Sequence, residues 1–122
     1  MDMLYYIYIG SNRVTIDHLS KITGGMFMAV SSCNKAAKVI DGIRERYNTS
    51  ILYEESTPQK DSQNITFLHK RFPRVYIILI TEGLQKEHRK LYLQAGVNNT
   101  LSPMASEESL LQMVKFLRLR KE

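Results

Sequence analysis

Small or polar residues stand directly after the strand-like runs of this sequence, where buried strands would end. They are Gly10 and Ser11 after residues 4–9, Glu54 and Glu55 after residues 50–53, Thr81 after residues 75–80, and Ser102 after residues 97–101. Carboxylates bind hard cations, but two glutamates on one loop offer too few fixed oxygens for an octahedral ion. We therefore expect no metal ion to be held by these residues.

Motifs that would make the chain an enzyme are missing from the sequence. It has no Gly-rich phosphate loop and no nucleophile elbow, and Gly24-Gly25 precedes a strand-like run, the wrong place for a dinucleotide fingerprint. The three histidines are scattered without a second ligand at metal spacing. We expect no catalytic residue, no metal and no cofactor.

Composition narrows the class of protein further. At 122 residues, with 43% hydrophobic and 24% charged residues, the chain can fold as one domain. Cys33 is the only cysteine, which excludes an internal disulfide and a cysteine zinc cluster. No apolar run approaches the roughly 18 residues typical of a membrane span, and no signal peptide is evident. We expect a cytoplasmic protein.

Five apolar runs of strand length alternate with segments of helical period, the pattern of βα units with a buried parallel sheet. The predicted strands are residues 4–9, 26–30, 50–53, 75–80 and 97–101. The predicted helices cover residues 12–23, a segment from Ser32 or Asn34 to near residues 47–48, a segment ending before Pro73, residues 84–95, and a segment after Ser106. Residues 54–62 are polar and contain Pro58, so we expect a surface loop there.

These elements predict an α/β fold of three layers, with a doubly wound, five-stranded parallel sheet between two layers of helices. In order and spacing they resemble the receiver domains of two-component response regulators over essentially the whole chain. The best match runs from residue 75 to residue 103: VYIILIT resembles the fourth receiver strand, and LYLQAGVNNTLSP resembles a helix ending in Ala-Gly and a short strand leading to a lysine-proline step. The resemblance implies a flavodoxin-like (βα)5 fold.

The resemblance also assigns roles to single residues. Glu54, four residues before Pro58, falls where receivers carry the phosphoaccepting aspartate, and Thr81 matches the hydroxyl that binds the phosphoryl group. Gly10 and Ser11 fall at the acidic pair that binds magnesium, and Ser102 falls at the lysine. With Glu55, these residues would form a degenerate pocket. Phosphoryl transfer depends on charge stabilisation by the metal and a cation, which this pocket lacks.

The resulting expectation is a pseudo-receiver that is not phosphorylated at the usual position and acts as a regulatory or protein-interaction module. Residues 1–122 would be one receiver-like domain, the amino-terminal module of a longer protein. Its partner, or a fused output domain, would bind the face formed by the fourth helix, fifth strand and fifth helix, and homodimerisation stays open. Glu54 would imitate the modified state by reaching toward Thr81, unless it is a plain loop residue.

Two other functions stay open at this point. The crevice at the strand ends could bind a small ligand such as a nucleotide or flavin. Residues 1–67 carry seven Lys/Arg and seven Asp/Glu, whereas residues 68–122 carry ten and five, so the net charge of +5 lies in the second half. Charge runs are usually solvated faces, and we do not expect nucleic-acid binding from charge alone.

Overall fold

The computed structural model of the chain describes residues 3–120 and contains one five-stranded sheet. All strand pairs are parallel, in the order β2-β1-β3-β4-β5. The strands are β1 (Tyr5–Ile9), β2 (Met26–Val30), β3 (Thr49–Glu54), β4 (Tyr76–Ile80) and β5 (Asn99–Leu101). The helices are α1 (Arg13–Thr23), α2 (Cys33–Asp41), α3 (Pro58–Arg71), α4 (Lys86–Ala95) and α5 (Glu107–Leu119). This is the predicted doubly wound fold.

Alternating side chains divide the sheet's apolar residues between two cores. Ile7, Ile51 and Ile77 pack beneath α2, α3 and α4. Tyr6, Leu52 and Ile78 pack beneath α1 and α5 on the opposite face. Because the central strands are covered on both faces, they are apolar almost throughout, as buried parallel strands must be.

Two predicted segments differ from the structure by several residues. The expected loop at 54–62 is short, because α3 begins at Pro58, where proline's fixed φ and missing N–H suit the first helical position. The second helix ends at Asp41, followed by Gly42 and a separate 3₁₀ turn at Arg46–Asn48. Glycine at residue 42 weakens the helix enough for the chain to turn there.

Polar caps fix where the helices start, and therefore where the strand ends lie. The side chains of Asn12, Ser32 and Ser106 accept hydrogen bonds from backbone N–H groups in the first turns of α1, α2 and α5. Each helix thus starts close to the carboxyl end of the preceding strand. Across residues 3–120, none of the helices is long and apolar enough to cross a membrane.

Candidate functional site

Glu54 ends β3 at the centre of the carboxyl edge of the sheet. Its Oε2 atom accepts hydrogen bonds from the Tyr8 hydroxyl at 2.7 Å and from the Asn12 backbone N–H at 3.0 Å. Burial, together with the hydrogen bond to Glu54, raises the pKa of Tyr8 above its ordinary value, so the hydroxyl remains a donor. The carboxylate is therefore fixed toward β1 and the start of α1.

Gly10 follows β1 and leaves the space that the Glu54 side chain occupies. A Cβ atom built on Gly10 would lie 2.6 Å from both Cβ and Cδ of Glu54. Contacts this short do not occur between non-bonded carbon atoms. An acidic side chain at residue 10 and Glu54 in its present position exclude each other, so the two departures from the receiver pattern fit together.

Glu55, and not Glu54, is the partner of Thr81. The Thr81 hydroxyl donates to Oε1 of Glu55 at 2.7 Å and accepts from the Gly83 backbone N–H at 3.2 Å. The expectation that Glu54 reaches Thr81 is therefore wrong. The reason is the alternation of side chains along β3: Glu54 turns toward β1, and the backbone N–H of Glu55 bonds Ile80 at the end of β4, which leaves its side chain beside Thr81.

The remaining predicted site residues do not converge on one point. Glu54 lies between two concavities. One, of about 440 Å³, is lined by Gly10 and Ser11 together with the start of α2 and residues of α3. The other, of about 400 Å³, is lined by Glu55, Thr81 and Pro103. Ser102 lies outside the lining of both; its exposed hydroxyl accepts from the Met104 backbone N–H at 3.3 Å within its own loop.

A magnesium ion of the kind that receivers bind does not fit these side chains. Gly10 and Ser11 supply no carboxylate, and Oε2 of Glu54 is already used by two donors. Among residues 3–120 there is no group of three or more His, Cys, Asp or Glu side chains that could hold a metal ion. In the part of the chain that is described, no lysine or arginine lines the concavity beside Thr81. Among the described residues that line it, the carboxylates therefore meet no basic side chain.

Asp61, in the first turns of α3, is a functional candidate that the sequence reasoning missed. Its carboxylate is fully buried, yet it accepts from the hydroxyls of Tyr53 at 3.1 Å and Tyr92 at 2.8 Å, and from the Ser56 backbone N–H at 2.8 Å. Asn64 in turn donates to the Tyr53 hydroxyl. We call Asp61, Tyr53, Tyr92 and Asn64 the Asp61 cluster.

Asp61, Tyr53 and Asn64 line the 440 Å³ concavity, and the Asp61 cluster joins β3, α3 and α4. Burial and the hydrogen bond to Asp61 raise the pKa of Tyr92, and burial likewise raises that of Tyr53. Burial and the nearby charge of Asp61 raise the pKa of Cys33 to about 11, so its thiol stays protonated and unreactive at neutral pH.

One sequence signal could have revealed Asp61. It lies four, seven and eleven residues before Ile65, Leu68 and Phe72, on the inward face of α3. A carboxylate at an apolar position of a helix must find donors, and tyrosines on neighbouring strands and helices can supply them. Because residues 54–62 were interpreted as a loop, this periodicity was hidden.

The strand order, the cores and the edge position of these residues invite comparison with known proteins. No protein-family model matches the chain, and no curated protein matches its sequence. Solved structures do match its fold. A CheY-like protein (tadZ) from Pseudomonas aeruginosa PAO1 is 13% identical with a TM-score of 0.82, covering 100% of this chain and 98% of that one. A CheY-like response regulator receiver domain protein from Methanospirillum hungatei JF-1 is 16% identical with a TM-score of 0.77, covering 96% and 95%.

A third solved structure is an atypical orphan response regulator with a phosphorylation-independent regulatory mechanism. It is 12% identical with a TM-score of 0.74, and the match covers 98% of this chain and 99% of that one. At these identities the likeness establishes the fold and leaves the chemistry to the site. The chain thus has a CheY-like α/β fold, as its resemblance to receivers implied.

Proposed function

We propose that this chain is a pseudo-receiver, a regulatory module that works without phosphorylation of the residue at the end of β3. The observation that carries the proposal is the Glu54 carboxylate, which lies against Gly10 where receivers keep their magnesium-binding acids. Glu54 thereby takes the place of both acceptor and metal ligand. The domain is then not an enzyme, and it acts by binding a partner through its surface.

Electrostatics support the same function. A phosphoryl donor entering beside Thr81 would meet Glu54 and Glu55 with no cation among the described residues that line that space. The negative charges of a phosphoryl group and of these carboxylates repel strongly in a partly buried site. The atypical regulator of similar fold is phosphorylation-independent, and we propose the same for this chain.

The phosphorylation state can be tested directly. The protein is incubated with acetyl phosphate and magnesium, and its intact mass is measured alongside a conventional receiver as the assay control. We expect the control to gain one phosphoryl group and this chain to gain none. A phosphoryl adduct on Glu54 or Glu55 would overturn the proposal.

The output surface is proposed to be the α4-β5-α5 face, where a protein partner or a fused output domain would bind. Two bulky apolar side chains support this choice. Leu93 of α4 is 60% exposed and borders the same concavity as Thr100 of β5. Phe116 of α5 is 50% exposed and contacts the Tyr76 ring of β4, with ring centroids 5.6 Å apart.

The partner surface is tested with charge substitutions at matched exposure. Leu93→Arg and Phe116→Arg should each abolish capture of a specific partner from the source cells. Val14→Arg is the control, because Val14 is 65% exposed on α1, which is not part of the α4-β5-α5 face. Equal loss with all three variants, or with none, would refute this surface.

A small polar ligand is the second candidate function. It is favoured by the 440 Å³ concavity at the ends of β1 and β3, the switch point of strand order, and by its hydroxyl, amide and lysine lining. Such a binder should melt at a higher temperature with ligand present, whereas an interaction module should respond to its partner. Melting curves with a panel of nucleotides and flavins distinguish the two functions.

A further inference from the structure

The sheet has two edges, and β2 is the unusual one. Strand β2, MFMAV, lies at one end of the sheet with only β1 beside it. It has no charged residue, no proline and no glycine, which are the devices that normally protect an edge from pairing. The opposite edge, β5, has only three residues, two of them polar.

The backbone of β2 offers a row of unpaired groups. The Met26 N–H bonds Leu4, and the Val30 carbonyl accepts from Gly10 of the chain after β1. Groups of alternate residues point the same way along a strand, so residues 26, 28 and 30 face β1. The N–H and C=O groups of Phe27 and Ala29 therefore point outward, with no strand beyond them among residues 3–120.

The side chains of β2 are apolar on both faces and largely uncovered. Met26 is 53% exposed and Met28 is 46% exposed, on the same face as Val30. On the other face Phe27 packs toward Tyr8 and Ala29 is exposed. Exposed apolar side chains beside unpaired backbone groups form a template for a further strand.

We propose that β2 pairs antiparallel with β2 of a second copy of this chain, on a two-fold axis through Met28. In this register Phe27 lies opposite Ala29 of the partner copy, so both outward N–H groups and both outward carbonyls of each strand are paired. Met28 meets its own copy at a non-hydrogen-bonded position, where side chains are closest. Met26 lies opposite Val30.

The ends of the strand also suit this register. Gly24 and Gly25 lie opposite Ser32 and Ser31 of the partner copy, so only small residues meet where the two strands diverge. Although the chain carries a net charge of +5, neither strand brings a charge into the contact. A second copy therefore complements this edge in hydrogen bonding, size and charge.

The contact between the two strands is small, so the dimer should be weak. Two five-residue strands bury less than the roughly 1,200 Å² at the lower limit of stable interfaces. We expect a dimer that forms and dissociates with concentration. This inference is independent of the proposed function, because β2 is at the opposite edge from the α4-β5-α5 face.

Sedimentation equilibrium over a range of concentrations tests the contact. The parent should rise from the monomer mass toward twice that mass. Met28→Lys should stay monomeric at every concentration, because two ammonium groups would meet at the axis. Met104→Lys is the matched control: Met104 is an exposed methionine in the loop after β5, and its substitution should leave the dimer intact.

Mixing two variants tests the two-fold axis itself. Met28→Lys and Met28→Glu should each be monomeric alone and should form a dimer when mixed in equal amounts. Ala29→Pro removes an outward donor without touching the bonds to β1, and should weaken the parent dimer. A parent that remains monomeric at millimolar concentration overturns the proposal. So does a dimer that survives Met28→Lys, or one that the mixture fails to restore.

Discussion

Two groups of carboxylates lie close together in the chain at the same end of the sheet, and they differ in burial and in hydrogen bonding. Asp61 is fully buried and accepts three hydrogen bonds, two of them from buried tyrosines. Glu54 and Glu55 are half-buried, with two donors and one donor respectively. Asp61 is placed to stabilise the fold, whereas Glu54 and Glu55 lie where a ligand or partner could reach them.

The difference in burial assigns stability to Asp61 and leaves Glu54 and Glu55 for function. A buried carboxylate without donors would cost several kcal/mol, so the Asp61 cluster must be complete for the fold to be stable. The glutamates could each be neutralised at small cost, because water can replace a lost partner. Here the buried cluster fixes α3, and the two half-buried glutamates line the concavity beside Thr81.

The largest effect is expected from removing the buried carboxylate. Asp61→Ala leaves the hydroxyls of Tyr53 and Tyr92 without an acceptor and opens a cavity, so the free energy of unfolding should fall by about 4 kcal/mol. Urea denaturation followed by circular dichroism measures the change.

Two control variants give this result its meaning. Asp61→Asn keeps the shape and one acceptor and should lose roughly half as much. Asp17→Ala removes an exposed aspartate of α1 and should change stability by less than about 0.5 kcal/mol. If Asp61→Ala were as stable as Asp17→Ala, the two groups of carboxylates would not differ as the geometry requires.

The fold could be predicted from the sequence because its signals are periodic. Strands β1 to β4 coincide with apolar runs, β5 lies within the weaker predicted strand at residues 97–101, and the Gly24 and Gly96 positions end helices as expected. The loop predicted at residues 54–62 was wrong because one residue type there fits two local structures. Pro58 can mark a loop or open a helix, and only the inward face of α3, beginning at Asp61, distinguishes the two.

The site was less predictable, because residue order does not give side-chain direction. Sequence position placed Glu54, Glu55 and Thr81 at the carboxyl ends of their strands, and the structure has them there. It could not show that Glu54 turns to Tyr8 and Asn12 while Glu55 takes Thr81, because successive strand residues point to opposite sides. Nor could it show that Gly10 and Glu54 share one space.

A second large effect should appear at high pH, and it distinguishes the buried hydroxyls from the exposed ones. The pKa values of Tyr8, Tyr53 and Tyr92 are raised in the folded chain, mainly by burial. Unfolded tyrosines ionise near the ordinary pKa of 10.0, so the unfolded chain loses protons first. Stability is full below pH 10 and should fall as the pH rises beyond it.

Melting temperatures between pH 8 and pH 12 measure this loss, with tyrosinate absorbance as a second signal. Tyr92→Phe should reduce the slope above pH 10, because one raised pKa is removed, although the variant starts less stable at pH 7. Tyr47→Phe is the comparison variant, because Tyr47 lies outside the Asp61 cluster, and it should change the slope less than Tyr92→Phe does. An unchanged slope in Tyr92→Phe would contradict the assignment of that pKa to the folded cluster.

A smaller effect should come from the space shared by Gly10 and Glu54. Gly10→Ala should destabilise the domain by about 2 kcal/mol, because its Cβ would overlap the Glu54 side chain. In a Glu54→Ala background the close Cδ and carboxylate are gone, so the cost should drop by about 1 kcal/mol. A double-mutant cycle with no coupling would show that the two positions depart from the receiver pattern independently.

The smallest effects distinguish the two glutamates from each other. Glu54→Gln replaces an acceptor of two hydrogen bonds, one of them from the Tyr8 hydroxyl, and should lower the free energy of unfolding by about 1 kcal/mol. Glu55→Gln keeps an oxygen for the single Thr81 hydroxyl and should cost about 0.5 kcal/mol or less. If the carboxylate of Glu54 fixes the regulatory state, Glu54→Gln should also weaken partner binding, whereas Glu55→Gln should leave it within twofold of the parent. Isothermal calorimetry with the partner measures the affinity of each variant. A reversed order would mean that the pair at Glu55 and Thr81 sets the state, and that Glu54 only fills the space beside Gly10.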